Sequence, residues 1–218
     1  MTVTFSVSQQ HYLFSVQAFA HTVLSLGGDE YVYALRDRTT AGVLEDVAEG
    51  SSELGVIVQT SDTAAELDAA IAAAGLEFVK LAESAPRIAL PVSHPLSNAE
   101  RLRIDDLVGW PYICFDQGDD AAPAFAEEAL ACVPRSKVVK CTDRASLSEL
   151  ATALNGYTVT SGILVGIADG SSLTTVALDT EVRLHLGYVR RTNAQLSDIG
   201  QRFVSKLERG LELYARSE

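Results

Sequence analysis

Residues 31–58 read YVYALRDRTTAGVLEDVAEGSSELGVIV, and the pattern of this stretch indicates the class of fold. Its aromatic and aliphatic start, Tyr31–Leu35, predicts a β-strand, while Thr40–Ala48 carries apolar residues at helical spacing. Gly50 is placed to end that helix. The apolar run Gly55–Val58 predicts a second, fully buried strand. A strand, a helix and a buried strand in this order are typical of a parallel β-α-β unit.

The same alternation extends outward from this unit to both ends of the chain. Further strands are predicted at Thr2–Val7, Glu77–Leu81, Arg87–Pro91, Tyr112–Phe115, Lys137–Lys140, Tyr157–Thr160, Leu173–Leu178 and Arg183–Val189. Further helices are predicted at Gln10–Leu26, Thr63–Ala74, Ala121–Ala131, Ser146–Leu154 and Leu196–Tyr214, with short helical segments at Ile104–Leu107 and Gly162–Ala168. Glu77–Leu81 and Arg87–Pro91 are expected to pair with each other. The order indicates an α/β protein with mostly parallel sheets and crossover helices.

These segments divide naturally into two α/β lobes. The first lobe is predicted to comprise residues 1–110 and 180–218, and the second to comprise residues 111–179. The chain would then cross between the lobes twice. Such a hinge allows two lobes to close on a ligand, as in periplasmic binding proteins.

Composition and charge limit the classes of function. Apolar residues make up 47% of the 218 residues and charged residues 21%, which is ordinary for a globular protein. The formal net charge of −12 repels the phosphate backbone of nucleic acids. This polypeptide is therefore not expected to bind nucleic acid by itself.

Cysteine usage and the start of the chain predict a cytoplasmic location. The cysteines are odd in number and lack C-x-x-C spacing, which does not indicate disulfides or a zinc site. We therefore expect Cys114, Cys132 and Cys141 to be small core residues of a protein in a reducing compartment. The start, MTVTFSVS, lacks the basic and apolar regions of a secretory signal. No apolar run approaches the ~20 residues that are needed to cross a bilayer.

The motifs of catalysis and metal binding are absent from the sequence. It contains no G-x-S-x-G, H-E-x-x-H, G-x-x-x-x-G-K-[ST] or G-x-G-x-x-G, and no two of its 4 histidines have a helical metal spacing. Neighbouring positions on a helix or strand point to different faces, so adjacent carboxylates seldom form an acid/base pair. We interpret them instead as charges on solvated faces and at helix ends. These pairs are Asp29-Glu30, Glu45-Asp46, Asp105-Asp106, Asp119-Asp120 and Glu127-Glu128. We therefore predict no catalytic residue, no metal and no cofactor.

Small polar residues occur where predicted strands give way to helices. They form four groups, Ser8 to His11, Arg38 to Thr40, Asp116 to Gly118 and Thr160 to Gly162. Ligands of α/β sheets sit at these carboxyl ends of strands, where free N–H groups and the helix dipole favour a carboxylate or another anion. Ser8 and Thr39 or Thr40 could instead be only helix caps. The convergence of four such groups favours binding of a small polar metabolite.

The residues also resemble a known family. S-Q-Q-H-Y, then R-D-R-T-T-A-G-V-L-E-D-V-A-E-G and G-V-I-V are similar to the first lobe of the effector-binding domain of LysR-type transcriptional regulators. H-P-L-S at His94–Ser97 and R-I-D-D-L-V-G-W-P-Y-I at Arg103–Ile113 resemble the link into that family's second lobe. C-F-D-Q-G, C-T-D-R-A-S-L and N-G-Y-T-V-T-S-G-I-L look like a subgroup met in Gram-positive bacteria. The likeness extends from Thr2 to Tyr214.

The resemblance implies a type 2 periplasmic-binding-protein-like fold, with two Rossmann-like lobes joined by a two-stranded hinge. It implies an effector held between the lobes, homodimers of this domain, and tetramers of the full-length protein on DNA. The family's winged helix-turn-helix is absent from this chain, so DNA contact would belong to a part preceding Thr2. The site implied for this sequence comprises Ser8, Gln10, His11, Thr39, Thr40, Phe115, Asp116, Gln117, Thr160 and Ser161. Ser8 and Thr40 match places where the family commonly holds effector carboxylates.

Two other functions fit the same architecture. A solute-binding protein of a transport system would have the same lobes but would need an upstream export signal or lipid anchor. An enzyme could use the cleft between the lobes, with His11 as a base and Asp116 as the residue that orients it.

Overall fold

The structure is a computed structural model that describes residues 3–26, 30–163 and 173–215. Its strands are β1 (Val3–Gln9), β2 (Tyr31–Asp37), β3 (Leu54–Thr60), β4 (Leu76–Ser84), β5 (Arg87–Pro91), β6 (Arg101–Leu102), β7 (Tyr112–Phe115), β8 (Val138–Cys141), β9 (Thr158–Thr160), β10 (Leu173–Leu178) and β11 (Leu184–Arg191). Its α-helices are α1 (Leu13–Leu26), α2 (Thr40–Glu49), α3 (Ala64–Ala73), α4 (Arg144–Ala153) and α5 (Asp198–Ala215). Short 3₁₀ turns cover Ile104–Leu107 and Pro123–Phe125.

The first sheet is built around the β-α-β unit of residues 31–58. It has five strands in the order β2-β1-β3-β11-β4. β1 is parallel to β2 and β3, while β11 is antiparallel to β3 and β4. Every residue of β3 is buried, as its continuous apolar run predicts for a central strand. The carboxyl ends of β1, β2 and β3 therefore lie at one edge of this sheet.

Helices cover both faces of the first sheet. On one face α1 packs against α5, and the rings of Phe5, Phe19 and Phe203 form a cluster with centroids 6.1 to 6.3 Å apart. On the other face α2 and α3 bury Val47 and Ile71 against Ile57. The order β2-β1-β3 with these crossover helices confirms the predicted α/β class.

The second lobe is built from smaller sheets. β5 is antiparallel to β9 and β10, and β10 also pairs with β6, which gives the order β6-β10-β5-β9. β7 and β8 form a parallel pair, which a bridge between Tyr112 and Tyr157 joins to the start of β9. Strands β5 and β6 thus pair within the second lobe, although they lie before residue 110.

The expected pairing of Glu77–Leu81 with Arg87–Pro91 is wrong. β4 pairs with β11 in the first sheet, and β5 pairs with β10 and β9 in the second. A two-residue hairpin needs a turn that Ala85 and Pro86 do not favour, because proline fixes φ near −65° while the usual hairpin turns need positive φ. The chain instead crosses between the lobes there, and it returns between β10 and β11.

The predicted helix Ala121–Ala131 is also wrong. This stretch contains the 3₁₀ turn Pro123–Phe125, followed by extended backbone at Ala126 with φ −63° and ψ 141°. Both Glu127 and Glu128 are buried. Glu127 and Glu128 lie in bends, and their carboxyl groups reach different partners, the N–H of His11 and the N–H of Phe115.

The cysteine prediction holds only in part. Cys114 and Cys141 are buried on neighbouring strands β7 and β8, where burial raises the pKa of the Cys114 thiol to about 12. Cys132 is exposed, so its predicted place in the core is wrong. Cys132 follows residues 121–131, which form turns and not the predicted helix, so it does not lie on the buried face of a helix.

Several other boundaries are confirmed, and some shift. The predicted bounds of Arg87–Pro91, Ile104–Leu107, Tyr112–Phe115 and Leu173–Leu178 are those observed. α1 begins at Leu13 and not at Gln10, because the N–H of Gln10 still bonds to Val56 of β3 and His11 forms a bend. The helical segment predicted at Gly162–Ala168 lies mainly outside the described residues. Among the described helices, none is both long and apolar enough to span a bilayer.

Gly187 marks the closest backbone approach in the first sheet. It lies at a register shift between β11 and β4, where an added Cβ would stand 2.2 Å from the carbonyl oxygen of Val79. We expect Gly187→Ala to lower the free energy of unfolding by about 2–3 kcal/mol in urea titrations, because backbone must move. The control is Gly210→Ala in α5, where an added Cβ meets nothing within 4 Å. Equal stabilities of the two variants would contradict this account.

Candidate functional site

The site begins with Gln10, which links the ends of β1 and β3 to the start of α2. Its backbone N–H donates to the carbonyl oxygen of Val56 at 3.1 Å, and its side-chain oxygen accepts from the N–H of Val58 at 2.7 Å. Its side-chain nitrogen donates to the Thr40 hydroxyl at 2.5 Å. Gln10 is fully buried, so this network fixes where α2 begins relative to β1.

Ser8 points into the first lobe. Its hydroxyl donates to Asp46 at 2.5 Å and lies 2.8 Å from the Ser52 hydroxyl. Asp46 also forms an ion pair with Arg38 at 3.0 Å. Ser8 is fully buried, so its side chain holds α2 against β1 within the first lobe.

The start of α2 contacts the second lobe. Thr39 is the helix cap, and its hydroxyl oxygen accepts from the N–H of Gly42 at 3.2 Å. The backbone N–H of Thr40 donates to the side-chain oxygen of Gln117 at 2.8 Å, and its hydroxyl donates to the carbonyl oxygen of Phe125 at 2.7 Å. Thr39 thus has the capping role left open by the sequence, while Thr40 joins the lobes.

His11 is held by the second lobe on several sides. Its ring stacks on Phe115 with centroids 4.1 Å apart, and its Nε2 lies 3.1 Å from the carbonyl oxygen of Thr142. Its backbone N–H donates to Glu127 Oε2 at 2.9 Å, while its Nδ1 lies 2.8 Å from Glu127 Oε1. Burial alone would lower the pKa of His11, but the hydrogen bond and charge of Glu127 raise it overall.

The pairing of His11 with Asp116 as base and orienting residue is wrong. Asp116 accepts from the N–H of Gly118 at 3.0 Å and lies 3.4 Å from Lys140 Nζ. These two contacts lower the pKa of Asp116. Because Glu127 and Thr142 occupy both ring nitrogens of His11, neither nitrogen is free to take a proton from a substrate in this arrangement.

A short segment of the second lobe, Phe125–Glu128, lies between the two lobes, and we call it the inserted segment. Glu127 is 1% exposed, and its Oε1 also accepts from Gln117 Nε2 at 2.9 Å. Its carbonyl oxygen accepts from the Tyr12 hydroxyl at 2.7 Å. The role of this segment could not be predicted from the sequence, because two adjacent glutamates beside alanines are typical of a solvated helix.

Glu128 turns to the opposite side of the inserted segment. Its carboxyl accepts from the N–H of Phe115 at 2.8 Å. Burial and, next, the charge of Glu127 raise the pKa of Glu128 to about 8. The charge of Arg135 lowers the pKa of Glu128 in part, while Arg144, at the start of α4, donates to the carbonyl oxygen of His11 at 3.0 Å.

An open cavity of about 630 Å³ lies beside His11, between the start of α2 and the second lobe. It is lined by His11, Asp37, Arg38, Thr39, Ala41, Gly42, Glu45, Asp116 and Thr142. Of the predicted site residues, His11, Thr39 and Asp116 line it. Its volume is in the range of small-molecule sites, and its wall carries charges of both signs.

The other predicted residues lie behind or away from this cavity. Gln10, Thr40, Phe115 and Gln117 belong to the network behind it, and Ser8 is buried within the first lobe. Thr160 pairs with Arg87 in the second sheet. Ser161 is fully buried, and its hydroxyl accepts from the N–H of Ile163 at 3.4 Å. Neither Thr160 nor Ser161 is among the residues that line this cavity. The described residues contain no cluster of side chains suited to a metal ion.

Comparison with known proteins decides the family. Residues 32–212 match the sequence profile of the LysR substrate binding domain. The chain belongs to this family. The match covers most of the sequence and fits the observed fold, which is the type 2 periplasmic-binding-protein-like fold of LysR domains. This LysR domain is therefore an effector-binding domain of transcriptional-regulator type. The likeness to a Gram-positive subgroup stays a prediction.

Solved structures agree with this fold. The effector-binding domain of QuiR in complex with shikimate has a TM-score of 0.66 at 10% identity, covering 98% of this chain and 99% of that chain. The effector-binding domain of a BenM variant has a TM-score of 0.65 at 14% identity, covering 97% and 96%. A putative LysR family regulator from Pseudomonas aeruginosa has a TM-score of 0.64 at 14% identity, covering 97% of this chain and 71% of that chain. No curated protein matches the sequence.

The inserted segment should make stability depend on pH. Between its usual pKa of 4.5 and about 8, Glu128 keeps a proton in the folded LysR domain that the unfolded chain releases. Stability therefore falls as pH rises through this window, on the order of 3 to 4 kcal/mol between pH 5 and pH 8. The raised pKa of His11 acts in the same direction, because its stabilising charge is lost as pH rises through that folded-state pKa.

We expect Glu128→Gln to reduce this fall in urea titrations at pH 5, 6, 7 and 8, because the amide keeps an acceptor for Phe115 but does not titrate. Glu66→Gln on the exposed face of α3 is the matched control and should leave the pH profile unchanged. A wild-type domain whose stability rises steadily from pH 5 to pH 8 would contradict the assignment.

Proposed function

We propose that this LysR domain senses a small-molecule effector in the cleft between its lobes and passes the signal on as a change of lobe angle. One observation carries the proposal. The start of α2 and the end of β1 bond directly to the second lobe through Thr40 with Gln117 and through His11 with Glu127, beside a cavity of about 630 Å³. A ligand that alters these contacts prefers one lobe arrangement, which is the condition for shifting it.

We propose an effector that is anionic or carries a carboxylate, together with hydroxyl or amino groups. The start of α2 and the side chains of Arg38 and His11 favour a carboxylate. Asp37, Glu45 and Asp116 line the same cavity and favour hydrogen-bond donors. A polar metabolite with both kinds of group matches the lining better than a simple inorganic anion.

The ten residues predicted from the sequence then have different roles in this proposal. His11, Thr39 and Asp116 contact the effector in the cavity. Ser8, Gln10, Thr40, Phe115 and Gln117 set the geometry of the cleft wall. Thr160 and Ser161 stay candidates for effector contacts from the return loop that follows β9. We place the boundary between the lobes at the two crossings, residues 85–86 and 179–183, and not at residue 110.

The partner of the domain would be a DNA-binding domain outside this chain, working in the cytoplasm where the DNA is. The domain itself would not be an enzyme. A solute-binding protein remains the alternative function. The coding region upstream distinguishes the two, since a winged helix-turn-helix supports the regulator and an export signal supports the carrier.

We further propose a homodimer, and a tetramer of the full-length regulator. The face formed by the end of α1 and the edge strand β2 exposes Leu24 (80%), Val32 (62%) and Tyr31 (44%). An exposed apolar group on an edge strand is a typical interface. A symmetric pair of these faces would transmit a change of lobe angle from one protomer to its partner.

The effector proposal is tested by a thermal-shift screen of metabolite carboxylates. A ligand at 100 times its Kd should add about 2.7 kcal/mol of stability. For each hit we expect Thr39→Ala and Asp116→Asn to raise Kd by about tenfold or more, since each removes a contact or charge of the cavity wall. Asp62→Asn, an exposed position that does not line this cavity, is the control.

Two outcomes would count against the effector proposal. A hit with unchanged affinity in both cavity variants would place the effector elsewhere. Multiple turnover of a bound metabolite would indicate an enzyme.

The dimer proposal is tested with Val32→Asp. A charge at the centre of an apolar interface should raise the dimer dissociation constant by about tenfold or more in sedimentation velocity. Val92→Asp is the matched control, because Val92 is 59% exposed and follows β5 in the other lobe. If both variants dimerise as the wild type does, this face is not the interface.

A further inference from the structure

The inserted segment supplies a carboxylate to the lobe interface. Glu127 Oε2 accepts from the backbone N–H of His11 at 2.9 Å, at the point where β1 leads into α1. Its Oε1 accepts from Gln117 Nε2 at 2.9 Å and lies 2.8 Å from His11 Nδ1. These partners come from both lobes, and the side chain is 1% exposed. A bound anion between two lobes would need the same kind of donors.

A relay of amides connects this carboxylate to the start of α2. The backbone N–H of Thr40 donates to the side-chain oxygen of Gln117, whose nitrogen donates to Glu127. The Thr40 hydroxyl donates to the carbonyl oxygen of Phe125. The inserted segment therefore uses donors at the starts of both α1 and α2, which are the groups expected to receive an effector.

We infer that Glu127 is a built-in carboxylate ligand, which holds the lobes closed without effector and which a carboxylate-bearing effector displaces. The inference rests on the proposed function, because it describes how the same cleft is occupied and regulated. The effector carboxylate takes over the hydrogen bonds from His11 and Gln117, and the inserted segment withdraws. Effector binding then exchanges one lobe-to-lobe connection for another.

Several features make this exchange feasible. The inserted segment consists of the end of a 3₁₀ turn at Phe125, extended backbone at Ala126 and bends at Glu127 and Glu128, so no α-helix has to unfold when it moves. Glu127 and Glu128 are adjacent buried carboxyl groups, so their withdrawal into water relieves the cost of burying both. Arg144, which bonds to His11, has a buried Nη2 without an acceptor in the described part of the chain. A larger ligand could satisfy that donor as well as those used by Glu127.

The test is chemical rescue by acetate, with chloride at the same ionic strength as the reference. Glu127→Ala removes the internal carboxylate and leaves its donors unpaired, so the melting temperature should fall. Acetate at about 100 mM should restore at least half of the loss, because ligand binding to the folded state stabilises it. The wild type should show no preference for acetate over chloride. Glu66→Ala is the control, because Glu66 is exposed on α3 and does not line the open cavity.

Small-angle scattering gives a second measurement on the same proteins. We expect Glu127→Ala in chloride to have a larger radius of gyration than the wild type, and acetate to reverse the change. A role of Glu127 in packing alone would lower stability without any response to acetate.

Glu127→Gln keeps the test decisive if the alanine variant does not fold. The glutamine fills the same space with a neutral amide, which His11 and Gln117 hold less tightly. Acetate should therefore bind this variant about tenfold or more tightly than the wild type, measured from the histidine NMR signals during titration. Equal acetate affinity in the wild type and in each folded Glu127 variant would overturn the inference. An effector found in the metabolite screen would still stand in that case, so the two proposals fail separately.

Discussion

The backbone N–H of His11 is buried between two lobes, and a buried donor must have an acceptor. It follows the last hydrogen bond of the parallel sheet and precedes the first turn of α1, so neither element can satisfy it. In this LysR domain the acceptor comes from the other lobe, as the carboxylate of Glu127. The position of the second lobe, the burial of His11 and the path of the inserted segment all depend on that requirement.

The same contact places ionisable groups where their charges affect one another. The Glu127 carboxylate raises the pKa of His11 on one side and that of Glu128 on the other. The site therefore contains one stabilised and one destabilised charge within neighbouring residues. Such an arrangement carries a desolvation cost in the closed state, which is consistent with the proposed exchange of this contact for an effector.

The cleft combines a rigid and an adaptable wall. On the first-lobe side, Gln10 and Ser8 fix α2 against the sheet through fully buried hydrogen bonds. On the second-lobe side, Gln117 and the inserted segment, which bond to His11 and to the start of α2, lie in irregular backbone between β7 and β8. A rigid wall defines the ligand position, and a wall without regular structure can follow the ligand at a smaller cost in lost backbone hydrogen bonds.

Local sequence patterns were sufficient to predict the class of fold and the positions of most elements. Residues 31–58 predict their β-α-β unit because hydrophobic period and helix-ending glycine are local properties. The pairing of β4 and β5, the absence of the helix at residues 121–131 and the contacts of Glu127 could be seen only in the three-dimensional structure. Strand partners and the burial of a charge depend on groups that are distant in sequence, such as His11 and Glu127, which are separated by 116 residues. The local pattern therefore predicts Glu127 to be a solvated helix residue. In the structure it is buried, because its carboxylate accepts from the backbone N–H of His11 on the other lobe.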